Sequence, residues 1–354
     1  MRFGWLTLSL SSSPDQDKSN IEQVLLQAQE AEKLGFQDVW LTEHYFTGES
    51  VYNDAILFAA ALAMRTNSIR IGFSVVQMPF HHPIRLATQL ALLDNLSNGR
   101  IDVGIGKGTV FNEYEFIGYG LRSDDSQERA REGYEILEKA WAGGGFKYEG
   151  KFYTLQVPEI RPRPVQRPGP PIWRSVISPE SFVECGRLAI PILTARLPLE
   201  SITDRWSLYK KGLKEGGHSP AIQNKLLRQN ALWRNVYVAE SDDQAENELM
   251  ELLIETREHM MAIRRDLNPE DFVPRPETLN AWTDPNVGHE EGASMAMKTG
   301  SLYGSPETVK EQIAELENVG VSHLLCQTGF GAMDTEKHMN SIRTFGQQVM
   351  PNFM

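Results

Sequence analysis

Cysteine is nearly absent: Cys185 and Cys326 are the only two in 354 residues, each inside an apolar stretch. They make no disulfide framework, CxxC pair or metal-ligand spacing, so they read as small buried hydrophobes. Long hydrophobic runs are missing too, and no stretch approaches the length of a membrane-spanning helix. The opening MRFGWLTLSLSSSP carries one basic residue and too short an apolar run for a secretory leader. A soluble cytoplasmic protein is the expectation. Positive charge is in deficit, with 35 Lys and Arg against 47 Asp and Glu and a formal net charge of −12. That argues against nucleic acid or an anionic membrane as partner, since both are polyanions. Any phosphate-bearing ligand must then be held by local donors.

What is present is alternation. Strands are expected at Phe3–Leu10, Val39–Leu41, Ile69–Val76 and Ile101–Gly106. Helices are expected at Asn20–Leu34, closed by Gly35, at Asp54–Met64, at Ile84–Leu96 and over ERAREGYEILEKAW. Short apolar strands alternating with helices imply a parallel sheet buried on both faces. After a Pro-rich crossing, Pro158–Pro171, strands are expected at Ile172–Ile177, Ile190–Leu193, Leu232–Val238 and Ser322–Gln327. Helices follow at Ser181–Arg187, Ile202–Lys214, Asp242–Arg265, Pro306–Val319 and Thr335–Val349. Eight strands alternating with helices fit an α/β fold, a single (β/α)8 TIM barrel with insertions, better than an open sheet. No composition break suggests a second domain, so residues 1–354 read as one domain and the Pro-rich crossing as an insertion. Residues 266–300 are polar without clean periodicity, the pattern of a lid or of disorder.

In such a barrel, function sits where strands end. The second strand stops at Glu43-His44, two groups that bracket neutral pH and suit proton transfer; a rim hydrogen bond is the plainer alternative. The third strand runs into QMPFHHPIR, where His81 and His82 lack the spacing or the nearby Asp or Cys of a metal site, so none is expected. The fourth ends GIGKG. Gly104, Gly106 and Gly108 around Lys107 let backbone approach a flat or phosphorylated ligand. The spacing is not that of a dinucleotide fingerprint. The fifth strand leads to Ser178-Pro179-Glu180-Ser181, either a plain helix cap or a phosphate seat. Arg129 could add charge to the same phosphate. Phe46, Met78, Phe80, Phe111 and Tyr114 suggest an apolar pocket.

Four stretches resemble the bacterial luciferase-like family of flavin-dependent monooxygenases, closest to its FMN-using two-component branch. They are AEKLGFQDVWLTEHYF, IRIGFSVVQMPFHHPIRLATQLALLDNLSNGRIDVGIGKG, SPESF and LYGSPETVKEQI with the terminal VMPNF. The resemblance covers nearly the whole chain in one order. It implies that His44 is the catalytic histidine, with Glu43 beside it. It implies cofactor contacts from Lys107, Arg129, Ser175, Ile177, Ser178 and Ser181. Ser74-Val75 falls at the family's non-proline cis peptide against the flavin ring, and Gly106 where luciferase has a cysteine. Tyr45, Phe46, Phe111 and Arg196 would line the substrate pocket. Tyr45 replaces a second histidine and Arg196 a tryptophan, which puts light emission and a simple aldehyde substrate in doubt.

The implied reaction uses FMN, reduced by a separate flavin reductase, and O₂ to oxygenate a small, apolar organic substrate through a C4a-(hydro)peroxyflavin. Exclusion of water by residues 266–300 would protect that species. A homodimer is expected. Two rivals remain: a deazaflavin-dependent hydride-transfer enzyme of the same superfamily, and a flavin-binding protein without catalysis.

Overall fold

The computed structural model describes residues 1–354, except for the side chain of Glu277. The strands are β1 (Arg2–Thr7), β2 (Asp38–Leu41), β3 (Arg70–Gln77), β4 (Ile101–Gly106), β5 (Phe146–Glu149), β6 (Thr154–Val157), β7 (Ile172–Ser175), β8 (Ile192–Ala195), β9 (Ala231–Val238), β10 (Ser301–Gly304) and β11 (His323–Gln327). The helices are α1 (Asp17–Leu34), α2 (Ala55–Arg65), α3 (Pro83–Leu96), α4 (Glu113–Gly118), α5 (Ser126–Ala142), α6 (Pro179–Arg187), α7 (Leu199–Glu215), α8 (Pro220–Gln229), α9 (Asp242–Leu267), α10 (His289–Gly300), α11 (Pro306–Asn318) and α12 (Thr335–Thr344).

Eight strands pair parallel in the ring β1-β2-β3-β4-β7-β8-β9-β11, and β11 returns to β1. This is a (β/α)8 barrel, as the alternation implied. β9 outruns its neighbours: Ala231–Trp233 pair with β8, while Asn235–Val238 carry β10. Local chemistry sets the helix ends. Gly35 closes α1 with φ 93°, a backbone that a side chain would strain. The Asp54 carboxylate accepts from the amides of Ile56 and Leu57 at the start of α2.

The barrel is filled, not hollow. Leu6, Trp40, Trp173, Leu193, Ala231 and Leu325 pack inside it, with Trp40 edge-on to Trp173 at 5.6 Å. Gly72 makes this possible, because a Cβ there would lie 2.5 Å from the Trp40 ring. A larger core joins the outer strand faces to the helices. Cys185 and Cys326 are buried and unpaired. None of the described helices is long and apolar enough to cross a membrane.

Four readings need correction. β1 ends at Thr7 rather than Leu10, since Ser11 turns to bond Gly48 in the loop after β2. The Pro-rich crossing is preceded by an antiparallel hairpin, β5–β6, whose residues are only half-buried or exposed and so leave no apolar run. α8 is also unforeseen, because it buries only Leu226. Residues 266–300 are not structureless: α9 runs to Leu267 and α10 occupies 289–300. α10 buries Gly292, Ala293, Ala296, Met297 and Gly300, of which only Met297 is large enough to register in a hydrophobic stripe.

Candidate active site

The chain leaves β2 through Thr42-Glu43-His44-Tyr45, and successive side chains along an extended chain point opposite ways. Glu43 turns inward and is buried. It accepts from the Tyr45 hydroxyl and the Gln77 amide, and pairs with His81 Nε2 at 2.7 Å. Burial alone would raise its pKa, yet His81 and these donors hold it below the usual carboxylate range. His81 is raised in turn: Glu43 outweighs the burial that would lower it.

His44 turns the other way, toward carboxylates that the sequence did not single out. Its Nδ1 lies 3.3 Å from Glu115 Oε1, and its Nε2 3.7 Å from Glu49 Oε1. A carboxylate only accepts, so Nδ1 carries a proton. Burial would lower the His44 pKa, but Glu49 and Glu115 overcome it and push the value to about 9. Glu115, on α4, also accepts from the Tyr45 amide at 3.1 Å. His44 is therefore an imidazolium at neutral pH, held by Glu115 and not by Glu43.

Gly106 ends β4 beside Val75, where an added Cβ would lie 2.4 Å from Val75 Cγ2. The Ser74-Val75 peptide is cis. Ile105 pairs with Arg174, so Gly106-Lys107 and Ser175 leave adjacent strands together. Lys107, Ser175, Ile177 and Ser178 are exposed and Ser181 is half-buried. Ser178 stands at the start of α6 without capping it; its hydroxyl lies 3.0 Å from that of Ser181. Arg129 is less available. Its Nε donates to Asp125 at 3.0 Å, and its guanidinium covers Phe152 at 4.1 Å.

The expected pocket residues divide. Tyr45 is buried, packed edge-on against Phe80 and Tyr119. Phe46 is 56% exposed, with φ 71°. Phe111 lies under the Arg264 guanidinium at 4.4 Å. The Arg196 guanidinium lies over Trp233 at 4.5 Å and Trp282 at 5.1 Å. The sequence reading missed Arg264, Trp233 and Trp282; none carries a local motif.

A narrow recess, about 10 Å³, lies between Leu8, Leu10, Glu49, Thr256, Met260, Gln327 and Phe330 at this end. A larger one, about 790 Å³, lies at the opposite end, lined by Met1, Arg2, Lys225 and Arg228. The larger is far from the chemistry, and a barrel's sites sit at the strand C-termini. The smaller lies at that end. Buried polar atoms without partners collect there as well: Ser9 Oγ, Thr47 Oγ1, Asn112 Nδ2, Arg196 Nε, Trp233 Nε1, Arg264 Nη1 and Gln327 Oε1. Such atoms are costly unless a ligand or water meets them.

The family model described as "Luciferase-like monooxygenase" matches residues 1–323. The oxygenase component of a flavin-dependent trigonelline monooxygenase from Acinetobacter baylyi is 25% identical over all of this chain and 96% of its own. An FMNH₂-dependent dimethylsulfone monooxygenase from Pseudomonas fluorescens is 26% identical, covering 92% of this chain and 85% of its own. The crystal structure of a Streptomyces bottropensis monooxygenase superposes with a TM-score of 0.82 at 26% identity, covering both chains in full.

Proposed function

The chain belongs to the luciferase-like monooxygenase family, and on that premise we propose that it is an oxygenase component, taking reduced FMN from a separate reductase and using O₂ to oxygenate a small organic molecule. The observation that carries this reading is a convergence at one end of the barrel. The protonated His44 shares that face with Gly106, Lys107 and the paired hydroxyls of Ser178 and Ser181.

These residues fit a phosphorylated flavin. Ser178 leaves its helix uncapped and its hydroxyl, paired only with that of Ser181, exposed to an anion, and the first turn of α6 adds backbone donors and the positive end of its dipole. Lys107 is exposed and makes no ion pair among the described residues. Gly106 offers bare backbone to a flat ring. Bound there, reduced FMN supplies the electrons that activate O₂. One oxygen atom enters the substrate; the other leaves as water with two protons and the flavin's two electrons.

The chain's own residues bind, orient and exclude water. Ser178, Ser181 and Lys107 hold the phosphate. His44, kept protonated by Glu49 and Glu115, holds a proton at Nε2 for charge developing near the flavin ring. Glu43 fixes the loop through Tyr45, His81 and Gln77 and is a positioning residue. Residues 266–300 serve as the lid over the mouth.

The phosphate seat gives the test. Replacing both Ser178 and Ser181 by Ala should weaken reduced-FMN binding by about 1–3 kcal/mol. Lys107→Ala should weaken it at least as much, and more at low salt. Wild type that bound reduced FMN and reduced riboflavin equally, in anaerobic titration, would remove the seat.

A further inference from the structure

Arg196 and Arg264 are half-buried cations at the mouth whose polar partners are incomplete. Arg196 follows β8 and adopts φ 50°. Its guanidinium makes no hydrogen bond and no ion pair among the described residues; its Nε is buried without a partner. Its planar head is instead fixed by the rings of Trp233 and Trp282, and its stem packs where a Cβ on Gly300 would lie, 2.9 Å from Cγ. Arg264, on α9, donates from Nε to Asn112 Oδ1 at 3.0 Å and rests on Phe111. Its Nη1 is likewise buried without a partner.

A guanidinium partly withdrawn from water normally faces a carboxylate or a fan of carbonyls. Arg257 on the same helix shows the ordinary solution, bonding the carbonyls of Ala281, Trp282, Asp284 and Val287. Arg196 has no such set, and Arg264 has only one neutral acceptor. The carboxylates within reach, Glu49 and Glu115, have His44 as their nearest cation. With His44 protonated, three positive groups face two negative ones, which leaves one positive charge unanswered.

We infer that the substrate is an organic monoanion, a carboxylate, whose charged end is gripped by Arg196 and Arg264 while its apolar body lies on the aromatic side chains beneath them. This inference rests on the oxygenase reading for its location and names the substrate class of that site. A carboxylate supplies two acceptor oxygens and the missing charge, the geometry that a guanidinium fork recognises. The apolar pocket expected from the sequence keeps its place, with a charged anchor at one end.

The test uses benzoate, cyclohexanecarboxylate and decanoate, each against its primary amide. Binding is measured by calorimetry on the whole protein, alone and with reduced FMN under argon. At least one acid should bind about tenfold or more tightly than its amide. Arg196→Gln and Arg264→Gln, checked for folding by near-ultraviolet circular dichroism, should bring that ratio close to one, and Arg196→Lys should keep part of it. No acid outbinding its amide in wild type would overturn the inference, whether or not the variants fold. An unchanged ratio in both folded Gln variants would also overturn it. So would displacement of the acid by FMN but not by riboflavin, which would assign the pair to the flavin phosphate. Oxygen consumption with reduced FMN, followed on the same wild-type sample, keeps the two readings apart. Acid preference without oxygen consumption would drop the oxygenase reading and leave the anion grip; oxygen consumption without acid preference would do the reverse.

Discussion

His44 draws its charge from two neighbours that no sequence pattern marked. Its pKa of about 9 lies above the ordinary histidine value because Glu49 and Glu115 outweigh burial. The protonated form is thus favoured by folding. That contribution is fully present below about pH 6.5 and is lost as pH rises through about 9. If His44 supplies a proton, product formation per reduced FMN should fall as pH passes about 9, and Glu115→Gln should move that fall to lower pH. A pH profile that does not respond to Glu115→Gln would separate His44 from the proton inventory. His44→Ala should lose about 10²–10⁴ in the rate of product formation, the usual worth of positioned acid–base help. Stopped-flow mixing with O₂ and substrate reads that loss, and turnover at wild-type speed would make the histidine a rim hydrogen bond. The sequence exposed His44 because a strand-ending EH pair stands out against an apolar run. Glu43, named beside it, bonds Tyr45, Gln77 and His81 instead of the His44 ring, because chain neighbours on an extended segment face apart. Glu115 lies 71 positions away, and only the fold brings it to the ring.

At the scale of elements, the eight barrel strands were legible for a physical reason. A strand buried on both faces must be a short unbroken apolar run, and each one sits between helices with their own period. Elements that bury little were not legible: α8, the β5–β6 hairpin and α10. The last matters most to function. Trp282, Ala293, Ala296 and Met297 form a satellite core with Tyr237, Leu249 and Leu253, and Arg257 ties the intervening loop to α9 through four carbonyls and His289 Nδ1. The segment before α10, proposed above as a cover, is thus packed and tied to α9 by one arginine. Arg257→Met would leave those carbonyls without their charged donor and should loosen the cover by about 2–4 kcal/mol. Hydrogen exchange should then rise sharply over 280–289 while β1–β4 stay protected. Uniform loss of protection would mean that Arg257 supports the barrel itself, and no change would mean that the cover is held by its apolar contacts alone.

For the molecule as a whole, a net charge of −12 gives anionic ligands no long-range attraction, so anion binding must be local and built from few groups. The two places proposed for it lie at the strand C-termini: Lys107 with the start of α6, and Arg196 with Arg264. Glycine spacing and the SPES turn made the first readable. The second joins residues 68 positions apart, Arg196 set on tryptophans from a strand and a loop and Arg264 on Phe111, and no linear pattern contains it. The central claim, that this barrel uses reduced FMN and O₂ to place oxygen on a small molecule, is tested most directly by isotope. The protein is incubated with enzymically reduced FMN, ¹⁸O₂ and the tightest-binding acid of the panel, and the product is weighed by mass spectrometry. One ¹⁸O atom per product molecule, with the other recovered in water, is the predicted result. No ¹⁸O in the product, with substrate instead losing a hydride to an oxidised deazaflavin or gaining one from a reduced deazaflavin, would contradict it and make the chain a hydride-transfer enzyme.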